Sequence, residues 1–127
     1  MPDKVKYEFS IIRIVPKVER EEFFNVGVIM FCRRKKYLGV KYHIDPKKLA
    51  DFSCEIEQEV LENYLKAWTI ISNGPANGGV IGAMDLPDRF RWLTASRSTI
   101  IQSSMTHSGL CEEPAAELEK LFKDFVM

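Results

Sequence analysis

The stretch RSTIIQSSMTHSG, residues 97–109, gathers the groups from which polar sites are usually built. It holds four of the chain's eight serines, two threonines, one arginine and one of the two histidines. Arg97 offers a planar fork suited to carboxylate or phosphate. The hydroxyls around it can donate or accept hydrogen bonds. The spacing, however, matches no catalytic arrangement. Extended, Arg97 and His107 stand about 33 Å apart, so they meet only if the chain turns near 104–108. There is no Ser–His–acid order with a nucleophile elbow. Neither GxxxxGK, GxGxxG nor HExxH occurs. The stretch reads as a half-exposed strand offering a binding surface, with Arg97, Ser98 and His107 as candidate contact residues.

A second polar group lies in apolar surroundings nearer the N-terminus. Arg13 sits between Ile12 and Ile14, in a strand whose two faces both read as covered. A buried guanidinium is costly without a partner. Glu21 or Glu22 in the connecting loop is the near candidate, and Glu22 is the expected one. Asn25-Val26-Gly27 fits a turn followed by a bulge or a close backbone approach. Arg13, Glu22 and Asn25 therefore join the candidate binding residues. Arg33, Arg34, Lys35 and Lys36 form a run of four cations that could grip phosphate. Only Tyr37 accompanies them, so base stacking is not indicated. The preferred reading is a solvated hairpin tip that discourages edge-to-edge pairing, and the four cations stand as weak candidates for nucleic-acid contact.

These residues need elements to hold them. Residues 7–15, 26–32 and 37–44 are rich in β-branched and aromatic residues and read as strands. The short connection at 33–36 makes them an antiparallel meander. With 32 and 37 flanking that turn, 28 faces 41 and 26 lies near 43. Pairing the first two strands is expected to put 13 near 28 and 6 near 35. One end then holds Lys4, Lys6 and the four cations of the turn. The other holds Arg13, Glu21, Glu22, Asn25 and His43, and Arg97 is expected there. Asp45-Pro46 opens a helix over 46–52. In 55–72, Ile56, Val60, Tyr64, Ala67, Trp68 and Ile71 share a stripe, which predicts an amphipathic helix with that stripe buried. NGPANGG at 73–79 reads as a loop, and Asp85 caps a short helix running to 95. A fourth strand is expected at 97–104, with Ile100 buried. Pro114 opens a last helix, 114–126, with Leu118, Leu121, Phe122 and Phe125 inward. The class is α+β: a small antiparallel sheet covered by helices.

At 127 residues, 46% apolar and 28% charged, the chain suits one globular domain with its own core. The net charge is zero but unevenly spread. Residues 1–48 carry twelve Lys/Arg against six Asp/Glu, and residues 49–127 carry six against twelve. Cys32, Cys54 and Cys111 lack zinc-site spacing, so neither a structural metal nor a disulfide is expected. No secretory pattern opens the chain, and the longest apolar run, Val26 to Cys32, falls far short of the roughly 20 residues of a membrane span. A reduced, cytoplasmic protein is expected, with no cofactor.

YEFSIIRIVPKVEREEFFNVGVIMF, RFRWLTASRSTIIQSS and GLCEEPAAELEKLFKDFV together resemble the bacterial domain-of-unknown-function family 3037, over nearly the whole chain. Arg13, Glu22, Asn25, Gly27, Arg97 and Ser98 fall in the matching blocks. The resemblance brings no established activity and no site residues. It implies small cytoplasmic proteins, often encoded beside a HipA-like serine/threonine kinase domain, and hence a partner or regulator role. Two functions follow as expectations. The first is a non-enzymatic protein-interaction module, a kinase-like protein being the implied partner. The second is an enzyme or binding domain for a phosphorylated or nucleic-acid ligand, with Arg13 and Arg97 as anion clamps and Glu22 or His107 as acid–base groups. A pocket where Arg13, Asn25 and Arg97 converge favours the second; an apolar surface patch favours the first.

Overall fold

The computed structural model describes residues 3–17, 21–52, 54–95 and 100–127, with the side chains of 75–78 also set aside. Three long strands come first: β1 (Val5–Ile14), β2 (Phe24–Cys32) and β3 (Tyr37–Tyr42). Helices α1 (Pro46–Asp51), α2 (Gln58–Asn73), α3 (Pro75–Gly82) and α4 (Leu86–Thr94) follow. The chain returns as β4 (Ile101–Ser103) and β5 (His107–Cys111), and ends in α5 (Pro114–Phe125). The sheet is antiparallel and ordered β3-β2-β1-β4, with β5 also paired to β1. β4 and β5 therefore run one after the other along the same edge of β1.

Both faces of this sheet are covered, which is why β1 and β2 read as nearly continuous apolar runs. Ile12, Ile14, Phe24, Val26, Ile29 and Phe31 pack against Leu49 of α1, Leu61, Leu65 and Trp68 of α2, and Phe90 and Leu93 of α4. Val5, Tyr7, Phe9, Ile11, Val28, Met30 and Cys32 pack against Leu118, Leu121, Phe122 and Val126 at the α5 end of the chain. The change of parity in β2, from 24 and 26 to 29 and 31, marks a bulge. Ile12 pairs with Gly27 and Arg13 with Asn25, leaving Val26 as the extra residue. Gly27 is required there: a Cβ would stand 2.7 Å from the Lys41 carbonyl oxygen of β3.

The expected meander register holds across β2 and β3, where Val28 pairs with Lys41 and the His43 amide donates to the Val26 carbonyl at 2.7 Å. Across β1 and β2 it is two residues off, because Val28 pairs with Ile11 rather than Arg13. Over 27–31 this even slip keeps each side chain on its face, so the apolar pattern does not detect it; past the Val26 bulge the pairing shifts by one residue more. Other expectations change too. Residues 75–82 form a helix, not a loop, broken at Gly79 (φ 64°). Pro75 starts it, since a first-turn proline has no intrahelical donor to lose. Of the fourth strand expected at 97–104, residues 97–99 lie outside the described residues and Ile101–Ser103 form β4; a fifth strand, β5, follows. Ile100 is half-buried, packed on the α2 side. Phe125 is 46% exposed, since α5 ends where the sheet does.

Candidate functional site

The Ser104 hydroxyl has a structural use that the sequence did not disclose. β4 and β5 are one edge strand interrupted at 104–106, and their pairings with β1 differ by one residue: Ile12 opposite Ser103, but Phe9 opposite His107. At the interruption Ser104 substitutes for ladder atoms. Its Oγ accepts from the Ile11 amide at 2.8 Å and donates to the Met105 carbonyl at 2.9 Å. The Ser104 amide donates to the Ile11 carbonyl at 2.8 Å. Ser10, fully buried, donates to the Ser104 carbonyl at 3.2 Å and lies 3.4 Å from the Thr106 hydroxyl. The hydroxyls thus keep buried backbone groups paired across a kink.

Arg13 stands beside this bulge, flanked by Asn25 on β2 and Gln102 on β4. The expected carboxylate is not its partner. Its guanidinium lies over the Phe23 ring, 4.2 Å from the centroid, and its buried Nε has no hydrogen-bond partner. The reason is the facing of the strand. Arg13 points to the α5 side, whereas Glu22 is exposed and lines a shallow cleft with Pro16, Lys17 and Phe52 on the α1 side. Cation–π contact with Phe23 then takes the place of the ion pair. The Asn25 amide is committed to structure, donating to the Phe125 carbonyl at 3.0 Å and fastening the end of α5. His107 is exposed on the same side, its ring 5.3 Å from that of Phe9. Since His107 pairs with Phe9, it sits four residues of β1 from Arg13, about 13 Å. Arg13 and Asn25 are neighbours, but His107 and Glu22 do not join them. Arg97 and Ser98 lie outside the described residues.

The cations at 33–36 are all exposed, on a turn closed by the Lys36 amide donating to the Arg33 carbonyl at 3.2 Å. On the α5 side, Tyr7 donates to the Glu117 carboxylate at 2.9 Å. Its ring lies on Gly109, where a Cβ would be 2.5 Å from the hydroxyl oxygen. Burial, then the Glu117 carboxylate, pushes the Tyr7 hydroxyl above the usual tyrosine range. The three cysteines are free, and burial above all raises the Cys111 thiol. Among the described residues no group of three His, Cys, Asp or Glu is placed to hold a metal ion, and no helix is long and apolar enough to cross a membrane.

The most distinctive concavity is elsewhere. The α2 stripe expected in the core is only partly there. Leu61, Leu65, Trp68 and Ser72 face the sheet, whereas Val60 is 43% and Tyr64 62% exposed. The apolar arc of α2 is wider than the sheet can cover. The surplus forms one wall of an apolar groove of about 420 Å³, lined by Ile56, Tyr64, Ala67, Ile71, Trp92 and Ile101 among others. Trp92, 39% exposed, stands on α4, and β4 supplies the end of the groove. The lining itself carries no charge; Glu57 shares the helix face of Tyr64, and Asp88, one turn before Trp92 on α4, is paired with Arg91.

The walls are tied together by Arg89, a buried arginine that sequence reasoning missed. Its Nε donates to the Met84 carbonyl at 2.9 Å, and one terminal nitrogen donates to the Ile71 and Ser72 carbonyls, each at 3.0 Å. Those two carbonyls belong to the last turn of α2, at the negative end of the helix dipole, where the Ile71 carbonyl also accepts from the Gly74 amide at 3.2 Å. The guanidinium meets that partial charge in place of a carboxylate.

Residues 9–126 match the model of a family described as "Protein of unknown function (DUF3037)", and the chain belongs to that family. No curated protein and no solved structure matches it.

Proposed function

We propose that this member of the family is a protein-interaction module, and that the groove between α2 and α4 receives an apolar, net-basic segment of a partner protein. The single observation that carries the reading is the exposure of Tyr64 and Trp92 in the lining of one apolar concavity. Large aromatics at a concave patch are the usual anchors of protein contacts. The exposed Glu57, on the helix face of Tyr64, gives the occupant its sign, because a like-charged segment is repelled and a basic one attracted. The arginine-clamp reading gains no support from the described residues, since Phe23 covers the guanidinium of Arg13 and His107 stands well apart. A kinase-like partner, implied by the family resemblance, is the first to test.

The experiment is affinity capture from the native host with the wild-type chain and with Tyr64→Glu, in the presence of nuclease. Tyr64 is exposed, so the variant is expected to melt as the wild type does. The reading expects a stoichiometric protein held by the wild type and lost on the variant. Equal retention by both, or loss on nuclease treatment, overturns it.

A further inference from the structure

Beside the basic turn, a second concavity opens between β1, β2 and α4. It measures about 260 Å³ and is lined by Lys6 and Glu8 of β1, Phe31 of β2, Arg33 and Arg34 of the turn, and Pro87, Phe90 and Arg91 of α4. The cations come from three separate elements, so this is not simply a charged loop tip. Lys6, Arg33, Arg34 and Arg91 are all exposed at the rim. Two carboxylates answer them: Glu8 in the wall, and Asp88, which pairs with Arg91. A net excess of two positive charges remains at the mouth. The floor is apolar, with Phe31 and Phe90 stacked at 5.6 Å between ring centroids and Pro87 beside them.

We propose that this cleft binds a small organic phosphate. Guanidinium forks on one side suit the non-bridging oxygens of a phosphate, which they grip by paired, charge-assisted hydrogen bonds. The Phe31–Pro87–Phe90 floor suits the organic part. The volume lies just below the roughly 300–1,000 Å³ typical of drug-sized ligands, so the occupant is small and a folded nucleic acid is excluded from it. Arg33 and Arg34 act as the clamp, Lys6 adds attraction at longer range, and Glu8 favours a ligand carrying a hydroxyl or amine donor next to the phosphate. The site is separate from the α2–α4 groove and stands or falls independently of it.

The test is titration calorimetry on the full chain with adenosine monophosphate, inorganic pyrophosphate and a single-stranded oligonucleotide as separate probes. Adenosine monophosphate is expected to bind, more tightly than pyrophosphate, with affinity falling as salt rises. Arg33→Gln with Arg34→Gln should weaken it about tenfold or more, with unchanged melting, since both side chains are exposed. Lys120→Gln, on α5, should change nothing. Absence of binding by adenosine monophosphate at millimolar concentration overturns the proposal. So does binding insensitive to the double change, binding no tighter than that of pyrophosphate, or binding of the oligonucleotide alone.

Discussion

Replacing Arg89 by methionine tests the claim that one buried arginine sets the groove walls. Methionine keeps most of the length and apolar stem but donates nothing. Three hydrogen bonds are lost, to the carbonyls of Met84, Ile71 and Ser72. A hydrogen bond to a charged group is worth about 1.5–3 kcal/mol net. Part is regained, because water reaches carbonyls at a helix end and the guanidinium's own desolvation cost disappears. A net loss of about 3 kcal/mol follows. For 127 residues the unfolding entropy is about 0.27 kcal/mol/K, so the melting temperature should fall by about 11 °C. Arg89→Lys should fall between, since a single ammonium cannot reach both the Met84 carbonyl and the end of α2 as a fork does. The assay is differential scanning calorimetry, with Trp92 fluorescence following the groove. A melting temperature within about 2 °C of wild type for Arg89→Met would refute the reasoning.

Neighbouring serines should respond oppositely. Ser104→Ala strips the Ile11 amide of its acceptor and should cost about 1–2 kcal/mol by urea unfolding, whereas Ser103→Ala removes a buried hydroxyl with no partner and should be neutral or stabilising. Equal losses would contradict the bulge account. Stability should decline as pH rises above about 10. The unfolded chain loses the tyrosine proton there, while the folded chain holds it on Tyr7 and, more weakly, Tyr37. The folded state then binds more protons than the unfolded, so the stabilisation is full below pH 10 and is lost above it; Tyr7→Phe should flatten the decline. A native thiol titration should find Cys54 reacting first, with Cys32 and Cys111 following only on unfolding, because the latter two are buried and the Cys111 thiol is raised. Two fast thiols would show that the α5 layer opens readily.

The meander and the terminal helices were legible because their signals are local. Alternating faces, the four-residue turn at 33–36, and prolines at 46 and 114 need no knowledge of distant residues. The β2–β3 register followed from the turn alone. The β1–β2 register did not, since the longer connection leaves room for a two-residue slip that preserves the faces of 27–31. The fifth strand was hidden because its polar residues sit on an exposed edge, and Ser104 repairs the ladder in a way no periodicity reports. The fate of Arg13 turned on a bulge that sends Glu22 and Arg13 to opposite faces. The groove was visible only as a stripe and was read as core; exposure of Val60 and Tyr64 depends on how much of α2 the sheet covers, which sequence does not state. Arg89 looked like any surface arginine of an amphipathic helix until the end of α2 was placed beside it.

The central claim, that the α2–α4 groove receives a basic, apolar segment, is tested most directly by photo-crosslinking in the native host. The photoreactive residue p-benzoylphenylalanine replaces Tyr64 in the groove and, as a control, Lys120 on the exposed side of α5. Crosslinked peptides are then sequenced. The account predicts a single partner joined at position 64 and not at 120, through a segment rich in apolar residues and carrying net positive charge. Crosslinking from 120 alone, an acidic segment at 64, or a second copy of this chain in the groove would contradict it.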